Sequence, residues 1–297
     1  MRLGSALRRP PHALLDHDRE RTDNAPSVEQ ANPASGSSIA VSDVSLPGVH
    51  RLEPLARFPL VSRELLASRA LLKRTDTKYV LGLQQLEALL PRLIGDYGVL
   101  LANGERVARY RSLYFDTPDL RCLRDHHRGR RPRHKVRIRH YLDRGLTYLE
   151  IKKKTNANKT DKRRRKIGFL AGWLSSEERR FVDEHLPLGA SALIPSAWTN
   201  FRRITLVGLH TMERVTIDMD LSFEGDGESA ALPGVVIAEV KQESFQPRSP
   251  IVLALRSSGI RPLSLSKYCT AAALLFENIR MPRFVPKLRG VRKVQHA

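Results

Sequence analysis

Polar and apolar residues alternate most regularly between residues 135 and 154. Two alternating runs, KVRIRHY and LTYLEIKKK, flank a short turn at Asp143-Arg144-Gly145. Successive side chains of a strand point to opposite faces, so the pattern predicts a β-hairpin with one apolar face and one charged face. The charged face is almost wholly basic, and its cations are Lys135, Arg137, Arg139, Lys152 and Lys154.

The same alternation predicts further strands along the chain. We expect them at residues 71–81, 106–115, 162–169, 197–207, 212–223 and 235–241. Apolar residues at helical spacing predict helices at residues 61–70, 83–94, 119–127, 175–185, 250–257 and 265–279, and Pro91 should kink or restart the second of these. About eight antiparallel strands with short turns can close on themselves, so we expect an α+β fold: an eight-stranded antiparallel β-barrel with helices packed outside.

Two details of this prediction concern the last hairpin. On the strand 212–223, residues 214, 216, 218 and 220 should share one face, and residues 215, 217, 219 and 221 the other. The following polar segment, residues 224–233, is expected to be an exposed loop.

The composition sets the boundaries of the ordered part. Residues 1–53 are rich in Pro, Ser, Asn and charged residues without periodicity and should be disordered. We expect one barrel domain at residues 54–281 and a basic C-terminal tail at 282–297. No apolar run approaches the length that crosses a bilayer, no secretory h-region follows the first arginines, and the two cysteines indicate a reducing compartment, so a cytoplasmic protein is expected.

Charge indicates the kind of partner. The formal net charge is +20 and the isoelectric point is about 10.6. Such a balance predicts a polyanionic partner, which could be a nucleic acid, an anionic membrane or a phosphate-rich small molecule. Aromatic residues are only 6% of the chain. Because they do not alternate with the basic residues as in base-stacking grooves, we expect no nucleic-acid partner.

A barrel with its apolar face outwards would have many cations inside it. By strand parity these are Arg74, Lys78, Lys135, Arg137, Arg139, Lys152, Lys154, Arg164, Lys166, Arg203, Arg214 and Lys241. Burying an unpaired charge costs several kcal/mol, so the interior should be a wet tunnel that admits a dense anion. Arginine suits phosphate through paired hydrogen bonds, and lysine supplies a point charge. The alternative is an ordinary solvated sheet face.

Acidic residues are rare on the same strands. Asp76, Glu150 and Glu239 are candidate ligands of Mg²⁺ or Mn²⁺, because carboxylates beside phosphates commonly hold such ions. The alternative for each is a simple ion pair with a neighbouring cation. The pair His126-His127 has no further ligand at a suitable spacing, so we expect it to be solvated.

The order of several short motifs resembles one known family. The motifs are Arg74-x-Asp76-x-Lys78-Tyr79, Ser112-Leu113-Tyr114-Phe115-Asp116-Thr117, Lys135-Val136-Arg137-Ile138-Arg139, Leu149-Glu150-Ile151-Lys152-x-Lys154, Arg214-Val215-Thr216-x-Asp218, Glu239-Val240-Lys241 and Ser266-Lys267-Tyr268. Over residues 58–280 this order looks like the VTC domain, the polyphosphate polymerase domain of the vacuolar transporter chaperone complex, within the triphosphate tunnel metalloenzyme superfamily.

The resemblance implies a metal-dependent enzyme that transfers the γ-phosphate of ATP to a growing polyphosphate chain. The expected catalytic residues are Lys78, Arg137, Arg139, Lys152 and Lys241. The expected phosphate-binding residues are Arg74, Lys135, Lys154, Arg164, Lys166, Arg203, Arg214, Ser266 and Lys267, and the expected Mn²⁺ or Mg²⁺ ligands are Glu239, Glu150 and Asp76. A tunnel triphosphatase and a non-catalytic polyphosphate or nucleic-acid binder remain alternatives.

The sequence departs from the family pattern at two positions. Asp76 stands where a glutamate is common, and Phe201 stands where a tyrosine is usual. Eukaryotic members also have a phosphate-sensing domain or transmembrane helices, and neither is evident in this sequence. Coupling of synthesis to membrane translocation is therefore not expected, although association with a membrane partner remains open.

Overall fold

The alternating segments form the strands of one antiparallel sheet in the computed structural model. The structure describes residues 52–69, 71, 74–157, 160–277 and 279–295, all within one compact unit. The strands of this part are β1 Thr75–Gly82, β2 Tyr97–Val99, β3 Ala108–Asp116, β4 Arg133–Tyr141, β5 Leu146–Lys154, β6 Thr160–Ile167, β7 Ile194–Gly208, β8 Glu213–Gly225, β9 Glu228–Leu232 and β10 Val235–Gln242. Its helices are α1 Arg63–Ser68, α2 Leu83–Leu89, α3 Arg121–Arg128, α4 Ser176–His185, α5 Pro250–Ser257, α6 Lys267–Leu275 and α7 Val285–Gln295.

The sheet confirms the predicted α+β class and its eight antiparallel strands. Its main path runs β1-β10-β8-β7-β3-β4-β5-β6, with β2 beside β7 and β9 beside β8. The prediction of a loop at residues 224–233 was wrong, because Glu228–Leu232 pairs with the end of β8 around a turn at Asp226-Gly227. Both turn residues have positive φ, which Asp tolerates and Gly adopts freely.

The sheet curls without closing through hydrogen bonds in its described part. Strands β1 and β6 are the two ends of the path. Residues of β1 and β10 nevertheless border the same cavity as residues of β4, β5 and β6. The curl therefore brings the charged faces of distant strands towards one another.

Two apolar clusters lie on the outer face of the sheet. One packs β1, β8 and β10 against α2 and α5, and it includes the fully buried Leu90 and Leu93 of a 3₁₀ turn that restarts after α2 at Pro91, as predicted. The other packs β3, β4 and β5 against α4 through residues such as Val136, Ile138 and Val182. Burial of a side chain of this size contributes about 1.5–3 kcal/mol, so these clusters anchor the sheet whose opposite face is charged.

Helix α6 lies on the inner face of the sheet, which differs from the expectation that all helices pack outside. Its Tyr268 and Cys269 pack with Val80, Val235 and Ile237. These three residues share the strand faces of Lys78 and Glu239 by parity. The inner face is therefore apolar at one end, where α6 fills it, and charged at the other.

Strand β8 changes faces at Asp220, so the predicted face of residues 215–221 is not continuous. Val215, Ile217 and Met219 belong to the outer cluster, whereas Leu221 belongs to the inner one. Asp220 has φ 52°, and the pairing with β7 is irregular between Asn200 and Arg202. One extra residue at such a bulge reverses the side-chain alternation, and it removes Asp220 from the predicted charged face.

The two predicted tails have different outcomes. Residues 1–51 lie outside the described part, and Leu52 is buried in the outer core. The predicted basic tail at 282–297 is wrong for residues 285–295, which form α7 with Val291 fully buried against the inner cluster. Within the described residues, no helix has the length and apolar character needed to cross a membrane.

Candidate functional site

A cavity of about 740 Å³ lies between the inner faces of the two ends of the sheet. It is lined by residues of β1, β4, β5, β6 and β10 and by residues of α3, α6 and α7. Eight of the predicted site residues border it: Arg74, Asp76, Lys78, Lys135, Lys152, Lys154, Glu239 and Ser266.

One side of this interior has lysine directly opposite lysine. Lys135 on β4 faces Lys152 on β5, and Lys152 faces Lys162 on β6. We call these three residues the cationic wall. Like charges directly opposite each other destabilise a sheet. Burial lowers the pKa of all three ammonium groups, and that of Lys135 falls to about 8.

Lys135 also contacts two groups at the helices that line the cavity. Its Nζ donates to Ser266 Oγ at 2.8 Å and lies 3.5 Å from His126 Nε2. Ser266 is the N-cap of α6, where its Oγ accepts from the backbone N–H of Cys269. The expectation that His126 is a solvated surface residue was therefore wrong. Burial and the charge of Lys135 lower the pKa of its imidazole, which keeps the ring neutral.

The opposite side has cations facing carboxylates. Lys78 on β1 lies opposite Glu239 on β10, and Asp76 lies opposite Lys241. We call these four residues the mixed wall. Lys241 Nζ donates to Glu239 Oε2 at 3.0 Å, and Lys78 Nζ lies 3.8 Å from Glu239 Oε1. Burial alone would raise the pKa of Glu239, but Lys78 and Lys241 hold it well below its ordinary value.

Glu150 is the least exposed carboxylate among the ion pairs of the described interior. Its side chain is 2% exposed, its Oε2 accepts from Arg137 Nε at 2.7 Å and its Oε1 from Lys162 Nζ at 2.5 Å. Burial opposes its ionisation, but Arg137 and neighbouring cations lower its pKa. Arg137 Nη1 also donates to Tyr114 Oη at 3.0 Å. Both carboxylate oxygens are thus engaged, which favours the ion-pair interpretation of Glu150 over the metal-ligand one.

A second buried carboxylate joins two predicted phosphate-binding residues. Asp218 on β8 accepts from Arg203 Nε at 2.5 Å and Nη2 at 2.8 Å, and it accepts from Lys267 Nζ of α6. Burial would raise the pKa of Asp218, but these two cations lower it. The cluster fixes the start of α6 to the sheet.

Arg139 is a buried guanidinium that forms no ion pair within the described interior. It is 7% exposed, and its only hydrogen bond there is from Nε to Ser112 Oγ at 3.1 Å. Its Cζ lies 5.6 Å from the ring centre of Tyr110 and 5.7 Å from that of Phe201. Burial and the neighbouring Arg137 lower its pKa. Its remaining donors are available to an anion.

These aromatic contacts correct one sequence argument. Aromatic rings do lie among the basic side chains, since Arg203 also contacts Tyr110 and Phe201, and Arg164 lies 5.1 Å above Tyr148. Tyr110 and Phe201 come from β3 and β7, whereas most cations come from β4 to β6, so no single strand shows the pattern. Phe201 is 3% exposed and stacked on Tyr110, so this pair offers no open platform to a base.

The remaining predicted residues lie at the margins. Arg164 and Lys166 are exposed on the edge strand β6, on the inner face by register with Glu150 and Tyr148. Arg214 lies opposite Lys241, and its buried Nε has no hydrogen-bond partner in the described part. Arg74 pairs with Asp76 at 2.9 Å.

Two of the three predicted metal ligands fit a divalent ion. Asp76 and Glu239 border the cavity and are diagonal neighbours in the β1–β10 register, whereas Glu150 does not border it. Within the described residues, no group of three or more His, Cys, Asp or Glu side chains could hold an ion without other ligands. Mg²⁺ commonly binds one or two carboxylates together with substrate phosphates, and the donor set suits that arrangement.

Several residues of the site were missed by sequence reasoning. Lys162 belongs to the cationic wall, and Tyr114 has a hydroxyl whose pKa falls to about 8, because Arg137 and other cations outweigh the effect of burial. Lys162 stands in a conspicuous basic run, and Tyr114 in one of the quoted motifs, so both had a signal. Arg283 and Lys287 border the cavity from the segment that the sequence predicts to be a tail, and the pattern of that segment gives no signal of a role in the site.

Comparisons with known proteins bear on this arrangement. A family model described as the VTC domain matches residues 73–276. No curated protein matches the chain. Among solved structures, a conserved hypothetical protein from Pyrococcus furiosus is similar at 14% identity and a TM-score of 0.39, over 66% of this chain and 99% of that one. A putative adenylyl cyclase from Hippeastrum, described as having a dominant triphosphatase activity, is similar at 15% identity and a TM-score of 0.42, over 68% and 97% of the two chains.

Proposed function

The chain belongs to the VTC domain family, and from that premise we propose that it is a metal-dependent polyphosphate polymerase acting inside its cationic cavity. The substrates are ATP and a growing inorganic polyphosphate chain. The observation that carries the proposal is the cationic wall. Lys135, Lys152 and Lys162 lie beside one another in register, only Lys162 has an acidic partner, Glu150, and a bound polyphosphate chain would compensate Lys135 and Lys152.

The reaction in this proposal is a phosphoryl transfer between two phosphate oxygens. The bond between the γ-phosphorus and the β,γ-bridging oxygen breaks, ADP leaves, and a terminal oxygen of the polyphosphate chain bonds to the γ-phosphorus. Such an acceptor is already ionised, so no general base is needed. Positioning and charge stabilisation account for most of the catalysis in phosphoryl transfer.

The chain's own residues have distinct parts in this proposal. Lys135 and Lys152 neutralise phosphate oxygens along the cationic wall. Arg139 donates to the substrate through the guanidinium nitrogens that Ser112 leaves free. Lys78 and Lys241 flank the transferred group from the mixed wall, and they exchange their ion pairs with Glu239 for contacts with phosphate.

Glu239 and Asp76 are the residues that we propose to hold Mn²⁺ or Mg²⁺. The ion, when bound, supplies positive charge to the phosphate oxygens as they pass from donor to acceptor. Each carboxylate now pairs with a cation, Glu239 with Lys241 and Asp76 with Arg74. We propose residues 54–295 as the functional unit, because Arg283 and Lys287, beyond the predicted domain boundary at residue 281, border the cavity.

The test is incubation of the purified chain with γ-labelled ATP and Mn²⁺, with the products separated on a gel. The proposal expects a ladder that an exopolyphosphatase removes. Glu239→Gln should abolish the ladder, and Glu243→Gln, which changes an exposed glutamate four residues further on, should leave it intact. Labelled free phosphate without a ladder would replace the proposal with a tunnel triphosphatase. Unchanged ATP across Mn²⁺, Mg²⁺ and Co²⁺ would leave only a binding protein.

A further inference from the structure

The loop between β6 and α4 exposes three large apolar side chains within five positions. Phe169, Leu170 and Trp173 are 49%, 45% and 68% exposed. Single exposed apolar residues are normal on a protein surface, whereas a cluster commonly marks an interaction site. We call these three residues the apolar loop.

The loop is held in place at both ends. Ile167 packs against the outer cluster of β3, β4 and β5, and Leu174 is buried in it with 6% exposure. The backbone N–H of Leu170 donates to Thr147 Oγ1 at 3.3 Å. The apolar side chains therefore project from a fixed base, and their exposure does not come from a frayed end.

The surface beside the loop is net basic. Lys162, Arg164 and Lys166 of β6 lie on the inner face of the sheet, and the other charged residues of 160–180 are four arginines and three acids, an excess of one positive charge. Arg163 and Arg165 lie on the outer face of β6 by register with Ile151 and Leu149, and Arg179 and Arg180 are exposed on α4. Arg163 and Arg165 pair with exposed acids, Asp161 and Glu177, and exposed pairs of this kind stabilise little.

We propose that the apolar loop and the outer cations of β6 and α4 form a peripheral docking surface for an anionic lipid membrane. Trp and Phe are favoured at the headgroup level of a bilayer, where an amphipathic or aromatic side chain is partly wet. Lys and Arg beside them are attracted by anionic headgroups. The surface thus matches both components of a membrane interface, one apolar and one charged.

Other occupants match only one component. A free polyanion satisfies the arginines but leaves Trp173, Phe169 and Leu170 in water. A second copy of this chain would cover the apolar loop but would bring the same excess of positive charge to the contact.

The test measures binding of the full chain to vesicles, without ATP. Vesicles of phosphatidylcholine with 30% phosphatidylglycerol should sediment the protein, and pure phosphatidylcholine vesicles should sediment much less. The triple variant F169S/L170S/W173S should bind at least about tenfold more weakly, since it loses three apolar side chains that the membrane would bury. The matched control Phe245→Ser changes an equally exposed ring, 47% exposed on another loop, and should bind as the wild type does.

Tryptophan fluorescence shows whether the loop itself enters the membrane. On anionic vesicles the emission should shift to the blue and be quenched by brominated lipid. Trp173→Phe should lose both signals, because the only other tryptophan of the sequence, Trp198, lies outside the loop and is stacked on Arg111. The variant should still sediment with the vesicles, because phenylalanine keeps the side chain apolar. The variant R163Q/R165Q should weaken sedimentation by about fivefold for each arginine removed.

Three outcomes would overturn the proposal. Sedimentation without a blue shift would indicate a purely electrostatic polyanion surface. A blue shift that appears with rising protein concentration and without lipid would indicate self-association. Absence of any difference between the two vesicle types would exclude an anionic membrane. None of these results depends on whether the chain makes polyphosphate.

Discussion

The two sides of the cavity differ in how their charges are arranged. On the mixed wall, each cation of β1 or β10 lies opposite a carboxylate, Lys78 opposite Glu239 and Lys241 opposite Asp76. On the cationic wall, Lys135, Lys152 and Lys162 lie opposite one another. The mixed wall balances its own charge, whereas on the cationic wall only Lys162 has an acidic partner, Glu150, and Lys135 and Lys152 form no ion pair within the described residues.

The two arrangements predict different effects of a substitution on stability. A balanced pair loses stability when one partner is removed. A like-charged row gains stability when a charge is removed or when an anion binds. The same substitution type should therefore have opposite effects on stability on the two walls.

The largest expected effect is on turnover. Lys152→Glu puts a carboxylate at the centre of the cationic wall and repels the phosphate chain. We expect kcat/KM for ATP to fall by at least about 10³-fold, since loss of one preorganised donor already costs about 10²–10³-fold. Single-turnover assays with labelled ATP measure it, and Lys153→Glu, on the opposite face of β5, is the control. Equal losses in both variants would contradict the role of the wall.

The next effect distinguishes two glutamates. Glu150→Gln should lower the free energy of unfolding by about 3–5 kcal/mol, because it leaves the buried guanidinium of Arg137 without its partner. Glu239→Gln should cost less stability and should raise the Mn²⁺ concentration needed for half-maximal turnover. Urea denaturation and metal titration of both variants check this prediction. If the Mn²⁺ requirement shifts in Glu150→Gln instead, then Glu150 and not Glu239 holds the ion.

The pH dependence of substrate affinity follows from the lysines. Burial lowers the pKa of Lys135 and of Lys241 to about 8, so both are charged below that pH and lose their charge above it. Affinity for tripolyphosphate should be constant below pH 7 and fall by up to about tenfold per unit above pH 8. Calorimetric titrations at pH 6.5 to 9.5 measure the trend. An affinity that rises above pH 8 would contradict the assignment.

The smallest effect tests the parity of the edge strand. Arg164 lies on the inner face of β6 and Arg163 on the outer face. Arg164→Gln should weaken tripolyphosphate binding by about threefold to tenfold, since a hydrogen bond to a charged group contributes about 1.5–3 kcal/mol when buried and less at an edge. Arg163→Gln should leave the affinity unchanged. The reverse order would show that β6 is paired one residue out of register.

Much of this arrangement follows from alternation alone. Period-two patterns placed β4, β5, β6 and β10, and strand parity identified Lys135, Lys152 and Glu239 as residues of one interior. Alternation failed where a bulge at Asp220 reversed the faces and where β9 formed from a polar segment, since both depend on turn geometry and on pairing with β8.

The sequence does not predict which groups contact the buried carboxylates. Whether Glu150 contacts a metal or Arg137 and Lys162 depends on the register of three strands, which alternation does not determine. Helix α6 was predicted as an outer helix, but its Tyr268 and Cys269 fill the inner face because Val235 and Ile237 make that end of the face apolar. A local pattern shows that a helix is apolar and does not show which side of a sheet it covers.

The measurement that tests the central contrast most directly is the unfolding free energy of Lys135→Met at pH 7, with and without tripolyphosphate. The pKa of Lys135 is about 8 in the folded protein and 10.5 as the ordinary value, so its charged form is less favoured when folded. The charge therefore costs stability below pH 8, and this cost disappears as the pH rises towards 10.5. The account predicts that the variant is more stable than the wild type by about 1–2 kcal/mol without ligand, and that tripolyphosphate stabilises it less. A variant that is less stable than the wild type, yet equally stabilised by tripolyphosphate, would contradict the claim that the cationic wall is held for a polyanion.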